Sequence, residues 1–306
     1  MLKSMALCIT ISLFLSAVAM GEGLNADGQG DSDLQIHTAD HPQRIVSLSP
    51  SNTEILFALG LGPNVVGVTK YCNYPPQLQE LRDSGRIAEV GGYSDPDLEK
   101  ILSLQPDLIV ANRIHSDSIS ALRKESEIPT FIADARDLDG IIQSIEMIGN
   151  ITGREGEASL LTGQMEARVK AISEKVSATH RPSVLYILWH DPVRAAGRDT
   201  FEDQLIEMAG GENIFHDLSG YPQVDPESIA ERDPEVIIAC TGMGAGADLP
   251  FDWAKTVEGL NLTQARREGR IYQADGDLVT RSGPRIVDGL EIFARFIHPE
   301  AFGKPA

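Results

Sequence analysis

Aromatic residues in loops are the part of this sequence whose chemistry points most directly to a function. Aromatics make up only 6% of the 306 residues, yet a set of aromatic and amphipathic side chains falls where we expect strands to lead into helices. Rings in such loops suit a cleft that holds a large, flat and partly apolar ligand. The set consists of Tyr71, Tyr74 and Tyr93 in the first half of the chain and Trp189, His190 and Tyr221 in the second. For each of them, packing against its own domain is the alternative.

The usual signatures of covalent chemistry are absent from the sequence. Beyond residue 41, no two histidines are four residues apart and none pairs with a cysteine, as a preformed zinc site would require. No Gly-x-Ser-x-Gly elbow and no Walker-type phosphate loop occurs. The glycine-rich run Thr241–Gly246 follows a predicted strand, but Asp248 would repel a phosphate there, so we expect a flexible loop at the cleft. We therefore predict neither catalytic residues nor a metal site.

A repeated phrase supplies a second kind of candidate site. The runs Leu98–Ala111 and Pro226–Ala239 share a Glu, an Ile, a Pro followed by an acid, and a closing apolar stretch. Such a repeat indicates two copies of one supersecondary unit, with a cleft between them. Each copy places a glutamate, Glu99 or Glu227, at the start of a helix, where a carboxylate stabilises the helix dipole. Alternatively, the two acids could dock onto basic residues of a two-fold symmetric partner.

Strands and helices alternate in both halves of the chain, which predicts a parallel sheet covered by helices in each half. Gly60 and Gly210 are predicted to end helices. The predicted strands are 44–48, 65–68, 108–110 and 130–133 in the first half and 184–189, 236–239 and 270–273 in the second. The predicted helices are 55–59, 97–104, 201–209 and 226–232.

A long helix is predicted between the two halves. Residues Glu155–Val176 carry apolar side chains at helical spacing and contain no Pro. A helix of this length runs roughly 30 Å, enough to join two lobes as a stiff connection, although packing on one lobe is an equally simple role. We predict an N-terminal α/β lobe at 42–154, a connecting helix at 155–180 and a C-terminal α/β lobe at 181–300.

The N-terminus and the net charge restrict location and partners. Residues 1–20 have the layout of a secretory signal peptide, with Lys3, an apolar stretch and small residues up to a cleavage site near Ala19. Residues 21–41 are polar and read as a disordered leader. The formal net charge of −19 argues against nucleic acid and anionic lipid as partners, because both require basic surface. We expect a monomer that is secreted, periplasmic or held at the cell surface.

Five motifs, in order along residues 42–297, resemble the substrate-binding proteins of ABC importers for vitamin B12, iron-siderophores and haem, and the cobalamin binders most of all. The motifs are Arg44–Glu54, Gly67–Pro76, Leu98–Val110, Gly210–Phe215 and Pro222–Glu227. The resemblance implies two Rossmann-like α/β lobes with central, mostly parallel sheets, joined by a single long α-helix. It also implies a ligand clasped between the lobes and delivered to a membrane permease dimer with its ATPase subunits.

The resemblance assigns roles to individual residues. In the family, one glutamate on each lobe engages arginines of the permease, and these positions match Glu99 and Glu227. The aromatic residues that contact cobalamin fall on Tyr71, Tyr93 and Tyr221, each still aromatic here.

The sequence also departs from the cobalamin binders, and the departures make the predicted pocket more polar. Asn112 stands where the cobalamin binder has Trp, and Arg194 stands where it has Phe. Arg281 belongs to a further family motif together with Arg285, which could instead cap its own helix. The predicted ligand contacts are therefore Tyr71, Tyr93, Asn112, Trp189, His190, Arg194, Tyr221 and Arg281.

These features predict a binding protein with no cofactor of its own. It would capture a corrinoid, such as cobalamin or cobinamide, and pass it to an ABC importer. A ferric-siderophore or haem binder is the alternative within the family, with ligand carboxylates at Arg194 or Arg281 and haem iron at a Tyr or at His190. A metal-dependent extracellular enzyme on the same lobes is the alternative outside it, and it would need clustered metal ligands.

Overall fold

The computed structural model describes residues 41–241 and 249–303. The predicted signal peptide, the predicted leader up to residue 40 and the glycine-rich loop after Thr241 lie outside these residues. Within the two described ranges, no helix has both the length and the apolar character needed to cross a membrane.

The first half forms a five-stranded sheet in which every neighbouring pair of strands is parallel. Its strands are β1 (Ile45–Ser47), β2 (Val65–Val68), β3 (Ala88–Glu89), β4 (Leu108–Ala111) and β5 (Thr130–Ile132), in the spatial order β3-β2-β1-β4-β5. Its helices are α1 (Pro50–Ala58), α2 (Gln77–Asp83), α3 (Leu98–Ser103), α4 (Ser116–Glu125) and α5 (Leu138–Thr152). The central strands β1 and β4 are buried throughout, because helices cover both faces of a parallel sheet.

The second half repeats this design around a second sheet. Helix α6 (Glu155–Val176) leads into strands β6 (Ser183–His190), β7 (Val193–Ala195), β8 (Glu212–Asn213), β9 (Val236–Thr241) and β10 (Ile271–Asp275). The helices that follow α6 are α7 (Phe201–Met208), α8 (Pro226–Arg232), α9 (Leu249–Thr256), α10 (Gln264–Glu268), α11 (Gly276–Val279), α12 (Ile286–Ile297) and α13 (Pro299–Phe302). The strand order is β10-β9-β6-β7, and β8 also pairs with β6.

The predicted mostly parallel α/β arrangement is confirmed, with one antiparallel pair that the sequence analysis missed. Strand β6 runs parallel to β8 and β9 but antiparallel to β7. Only Asp191 and Pro192 separate β6 from β7, and so short a connection can only reverse the chain. Strands β3, β7 and β8 have two or three residues each, too few for an alternating pattern to be recognised.

Side-chain caps and glycines set the helix ends. The Ser49 side chain accepts a hydrogen bond from the Asn52 backbone N–H at the start of α1. Gly60 and Gly210, with φ of 76° and 81°, lie in the left-handed region just beyond α1 and α7, as predicted. A Cβ at Gly210 would also meet Val176 at 2.8 Å, so this glycine permits α6 to approach the turn.

Helix α6 has the bounds that its apolar spacing predicted. Its 22 residues correspond to about 33 Å. It packs against α5 of the first half and against α7 and α12 of the second. Arg168 at its middle donates hydrogen bonds to Asp288 (2.6 Å) and Glu291 (2.8 Å) of α12. The helix therefore contacts both halves, while the lobe boundaries and its role as the single connection remain predictions.

Candidate functional site

The predicted cleft residues lie at the carboxyl ends of the strands. Tyr71 follows β2, Tyr93 follows β3 and Asn112 follows β4, whereas Trp189 and His190 end β6. All carboxyl ends of a parallel sheet lie at one edge, which is where ligands bind in open α/β sheets. Each half thus gathers its candidate residues at one edge of its own sheet.

Hydrogen bonds join the two carboxyl edges. Asn73, in the loop after β2, donates from Nδ2 to Asp277 Oδ2, just after β10, over 2.7 Å. Gln204 of α7 donates from Nε2 to the carbonyl of Arg136, after β5, over 3.3 Å. The Asn73–Asp277 bond therefore brings the carboxyl edge of the first sheet against that of the second, and Gln204 joins α7 to the first half.

Three tyrosines at these edges are exposed. Tyr71 is 52% exposed, with Lys70 Nζ 5.1 Å from its ring centroid. Tyr221 is 39% exposed. Tyr74 is exposed to a similar degree, and the guanidinium of Arg285 lies 3.9 Å from its ring centroid. Exposed aromatic surface of this kind is available to an apolar ligand.

The Tyr93 loop is fixed by a buried histidine. His115 Nδ1 accepts the backbone N–H of Asn112 at 3.0 Å, so Nε2 carries the proton and donates to the Tyr93 carbonyl at 2.7 Å. The two rings also meet edge to face, with centroids 5.3 Å apart. Burial lowers the pKa of His115, which favours this neutral tautomer.

Asn112 is buried beside this histidine. Its Nδ2 donates to the Ala133 carbonyl at 2.9 Å, and its Oδ1 accepts from Asn52 Nδ2 at 3.1 Å. Both ends of the amide are thus occupied by the protein itself. In this structure the side chain ties β4 to β5 and α1, and its contact with a ligand remains a prediction.

The second half contributes Trp189, His190, Arg194 and Tyr221 as one group. The rings of Trp189 and His190 lie 5.1 Å apart, and Trp189 Nε1 donates to the Asp191 carbonyl at 3.0 Å. Arg194 is exposed, and its Nη1 donates to the Tyr221 carbonyl at 3.1 Å. Trp189 also lies opposite Arg194 in the β6–β7 ladder, so the two pairs are neighbours.

A buried carboxyl that the sequence analysis missed lies behind Tyr221. The Tyr221 hydroxyl donates to Glu202 Oε2 at 2.8 Å. Glu202 has no exposed surface, and burial raises its pKa to about 7. The sequence pattern indicates that Glu202 is buried. Glu202 lies at helical spacing from Leu205, Ile206 and Ala209, whose side chains form the buried face of this helix.

Arg281 belongs to an ion cluster that joins the halves. Glu54 of α1 is buried, and its carboxylate accepts hydrogen bonds from Arg285 (2.6 and 2.8 Å) and from Arg281 (3.0 Å). Arg281 also pairs with Asp277 at 2.6 Å. The side chain of Arg281 is only 14% exposed, so in this structure its guanidinium serves this cluster, and its contact with a ligand remains a prediction.

Glu99 and Glu227 occupy matching places in the first turns of α3 and α8, and both are exposed. The caps of these helices come from other residues, since Asp97 accepts from the Lys100 N–H and Asp225 accepts from the Ser228 N–H. Among the described residues, neither glutamate has an ion-pair partner. Two free acids at equivalent positions are therefore available to a partner.

A small apolar cavity contains none of the predicted ligand contacts. Its lining includes Leu138, Val169 and Leu290. It has room for about one water molecule, far less than a small-molecule site needs. Within the described ranges, no three His, Cys, Asp or Glu side chains are grouped as metal ligands, and the described cysteines, Cys72 and Cys240, are free and buried.

Comparisons with known proteins all find substrate-binding proteins. The periplasmic binding protein family matches residues 45–278. The chain is 33% identical to an uncharacterized ABC transporter substrate-binding lipoprotein, YvrC, of Bacillus subtilis, over 89% of this chain and 85% of that protein. It is 30% identical to a cobalamin-binding protein of Halobacterium salinarum, over 87% of this chain and 72% of that protein.

The fold is also similar to that of a solved structure. The periplasmic heme-binding protein RhuT from Roseiflexus sp. RS-1, in its apo form, superposes with a TM-score of 0.74 at 29% identity. The match covers 85% of this chain and 99% of that chain.

Proposed function

The chain belongs to the periplasmic binding protein family, and we propose that it captures a corrinoid between its two sheets and delivers it to an ABC importer. Proteins of this family are substrate-binding proteins rather than enzymes, and they work with the permease and ATPase components of ABC transporters. An extracytoplasmic or cell-surface location follows from that role. The signal peptide and its cleavage near Ala19 remain predictions.

The exposed aromatic rings at the two facing edges carry the proposal. Tyr71 on the first half and Tyr221 on the second are both exposed, so their rings could hold a flat macrocycle from both sides. The cobalamin-binding relative from Halobacterium salinarum supports a corrinoid as the ligand.

Haem or a ferric siderophore is the second candidate. Arg194 is exposed beside Tyr221, and a guanidinium in this position suits a ligand carboxylate. Similarity to a heme-binding protein supports this candidate. The two candidates differ in what Arg194 contributes, since a corrinoid depends chiefly on the rings.

Calorimetric titration of the ligand-free protein separates these candidates. We expect cyanocobalamin to bind at low micromolar concentration or below and more tightly than haemin or a ferric hydroxamate siderophore. Tyr71→Ala should weaken the binding of cyanocobalamin roughly tenfold, since burial of a ring contributes about 1.5 kcal/mol or more. Leu160→Ala, an exposed change on α6, is the control and should leave affinity unchanged. Absence of cyanocobalamin binding at tens of micromolar would refute the corrinoid proposal.

Glu99 and Glu227 are proposed as the contacts with the permease. They are exposed, equivalent in the two halves and not needed as helix caps. Paired carboxylates on two lobes would fix the orientation of the protein on a two-fold symmetric permease through charge-assisted hydrogen bonds.

The double variant Glu99→Ala with Glu227→Ala should keep its ligand affinity and lose most of its transport in vesicles that contain the permease and its ATPase. We expect at least a tenfold decrease, because each charge-assisted contact contributes on the order of 1 kcal/mol or more. Glu89→Ala with Glu231→Ala removes one exposed acid from each half and serves as the matched control. Transport equal to that of the control would refute the docking role and leave Glu99 and Glu227 with stabilisation of their own helix dipoles.

A further inference from the structure

A buried polar cluster lies behind Tyr221, and nothing in the proposed function requires it. Its members are Glu202 at the start of α7, Tyr186 on β6 and Cys240 on β9, all with at most 1% of their surface exposed. Tyr221 connects the cluster to the cleft, because the residue is partly exposed at the edge while its hydroxyl reaches Glu202. A group inside the second half is thereby joined to a surface that the ligand would cover.

Glu202 has an incomplete set of partners. Its Oε2 accepts the Tyr221 hydroxyl at 2.8 Å, whereas its Oε1 is buried without a hydrogen-bond partner among the described residues. Within the same residues, it forms no ion pair with any Arg, Lys or His. An ionised oxygen in such a place is costly, and protonation removes that cost.

The groups that face Glu202 give it no compensating positive charge. The groups that interact with it are hydroxyls, a thiol and its own backbone N–H, and the charges next beyond Cys240 are acids. The neighbours are Thr200 before α7, Tyr186 on β6, Cys240 on β9 and Tyr221 in the loop before α8, with Asp275 and Asp277 beyond Cys240. Burial among such neighbours therefore raises the pKa of the Glu202 carboxyl to about 7.

We propose that Glu202 is a positioning residue for Tyr221 that takes up a proton from solvent when a ligand covers the cleft, so that the ligand is held more tightly in mildly acidic than in mildly basic surroundings. The Tyr221–Glu202 hydrogen bond fixes the ring, and a ligand on that ring displaces the solvent over Tyr221, so that bulk water lies farther from the buried carboxyl. A greater distance from water raises the pKa of a carboxyl. Any ligand that raises a pKa binds more tightly as the pH falls through that value.

This inference rests on ligand binding in the cleft, and calorimetry with cyanocobalamin in buffers of different ionisation enthalpy tests it. Near pH 7.5 the wild-type protein should take up on the order of half a proton per ligand, and its affinity should increase several-fold between about pH 8 and pH 6. Glu202→Gln keeps an oxygen for Tyr221 but cannot ionise. It should bind without proton uptake, at one affinity throughout this range. Glu212→Gln, an exposed change in the same half, should behave as wild type.

A second measurement, on the ligand-free protein, separates failure of this inference from failure of the corrinoid proposal. Infrared spectra should show a protonated carboxyl C=O band that disappears as the pH rises through about 7 and that is absent from Glu202→Gln. If cyanocobalamin does not bind, the corrinoid proposal fails and haemin is titrated in its place. Proton uptake by Glu202→Gln equal to that of wild type, or a Glu202 carboxyl already ionised at pH 5, would overturn the inference while leaving ligand capture intact.

Discussion

Replacing Glu54 with Ala is expected to lower the free energy of unfolding by about 3–5 kcal/mol, the usual cost of removing one partner from a buried ion pair. The carboxylate accepts three hydrogen bonds, two from Arg285 and one from Arg281. Both guanidinium groups are largely buried, and neither can lose its proton to escape the cost. Without Glu54, Asp277 would be the one acid among the described residues left to compensate two buried positive charges.

Urea denaturation measures this effect, and a surface pair provides the control. Asp288 pairs with Arg168 over 2.6 Å, but both side chains are about two-fifths exposed, so Asp288→Ala should cost less than about 1 kcal/mol. Because Glu54 lies on the first half and both arginines lie on the second, Glu54→Ala should also loosen the contact between halves. Equal midpoints for the two variants would show that the cluster contributes little to stability.

Glu202→Gln is expected to stabilise the ligand-free protein by about 3 kcal/mol above pH 7 and to have no effect near pH 4. In the unfolded chain Glu202 titrates near its ordinary pKa of 4.5, whereas burial raises the pKa to about 7 in the folded protein. Between these values the folded state binds more protons than the unfolded state. The stability of the wild type therefore falls as the pH rises from about 4.5 to about 7 and stays level beyond.

Denaturation curves of wild type and Glu202→Gln, recorded at several pH values, test this prediction. The difference in the free energy of unfolding between the two proteins should grow as the pH rises from about 4.5 to about 7. Glu212→Gln should have the same free energy of unfolding as wild type at every pH. A constant difference at all pH values would mean that the substitution acts through packing alone and that Glu202 does not titrate in this range.

Both predictions concern carboxyls that unite distant parts of the chain, and they act in different ways. Glu54 is compensated by two arginines and stabilises the contact between the halves. Glu202 has no arginine partner among the described residues, so the free energy of unfolding is higher when its carboxyl holds a proton than when it is ionised. Glu54 therefore stabilises one fixed arrangement of the halves, whereas the charge of Glu202 changes with pH.

The sequence by itself determined the local features of this protein. Apolar periodicity predicted α6 with its bounds, glycines marked the ends of α1 and α7, and the repeated phrase placed Glu99 and Glu227 at the starts of equivalent helices. Each of these depends on residues within one or two turns, where spacing and backbone preference are sufficient. The position of the candidate cleft residues after the strands followed from the same alternation of elements.

Only the tertiary structure decided which distant groups meet. Glu54 finds Arg281 and Arg285 more than two hundred residues along the chain, and Glu202 meets Tyr221 from a helix and a loop that no local pattern connects. Arg281 and Asn112 were predicted from the family resemblance as ligand contacts, yet their polar atoms are occupied within the protein. Such pairings depend on how the sheets face each other and on which side chains lose water, and neither is encoded in the spacing along the chain.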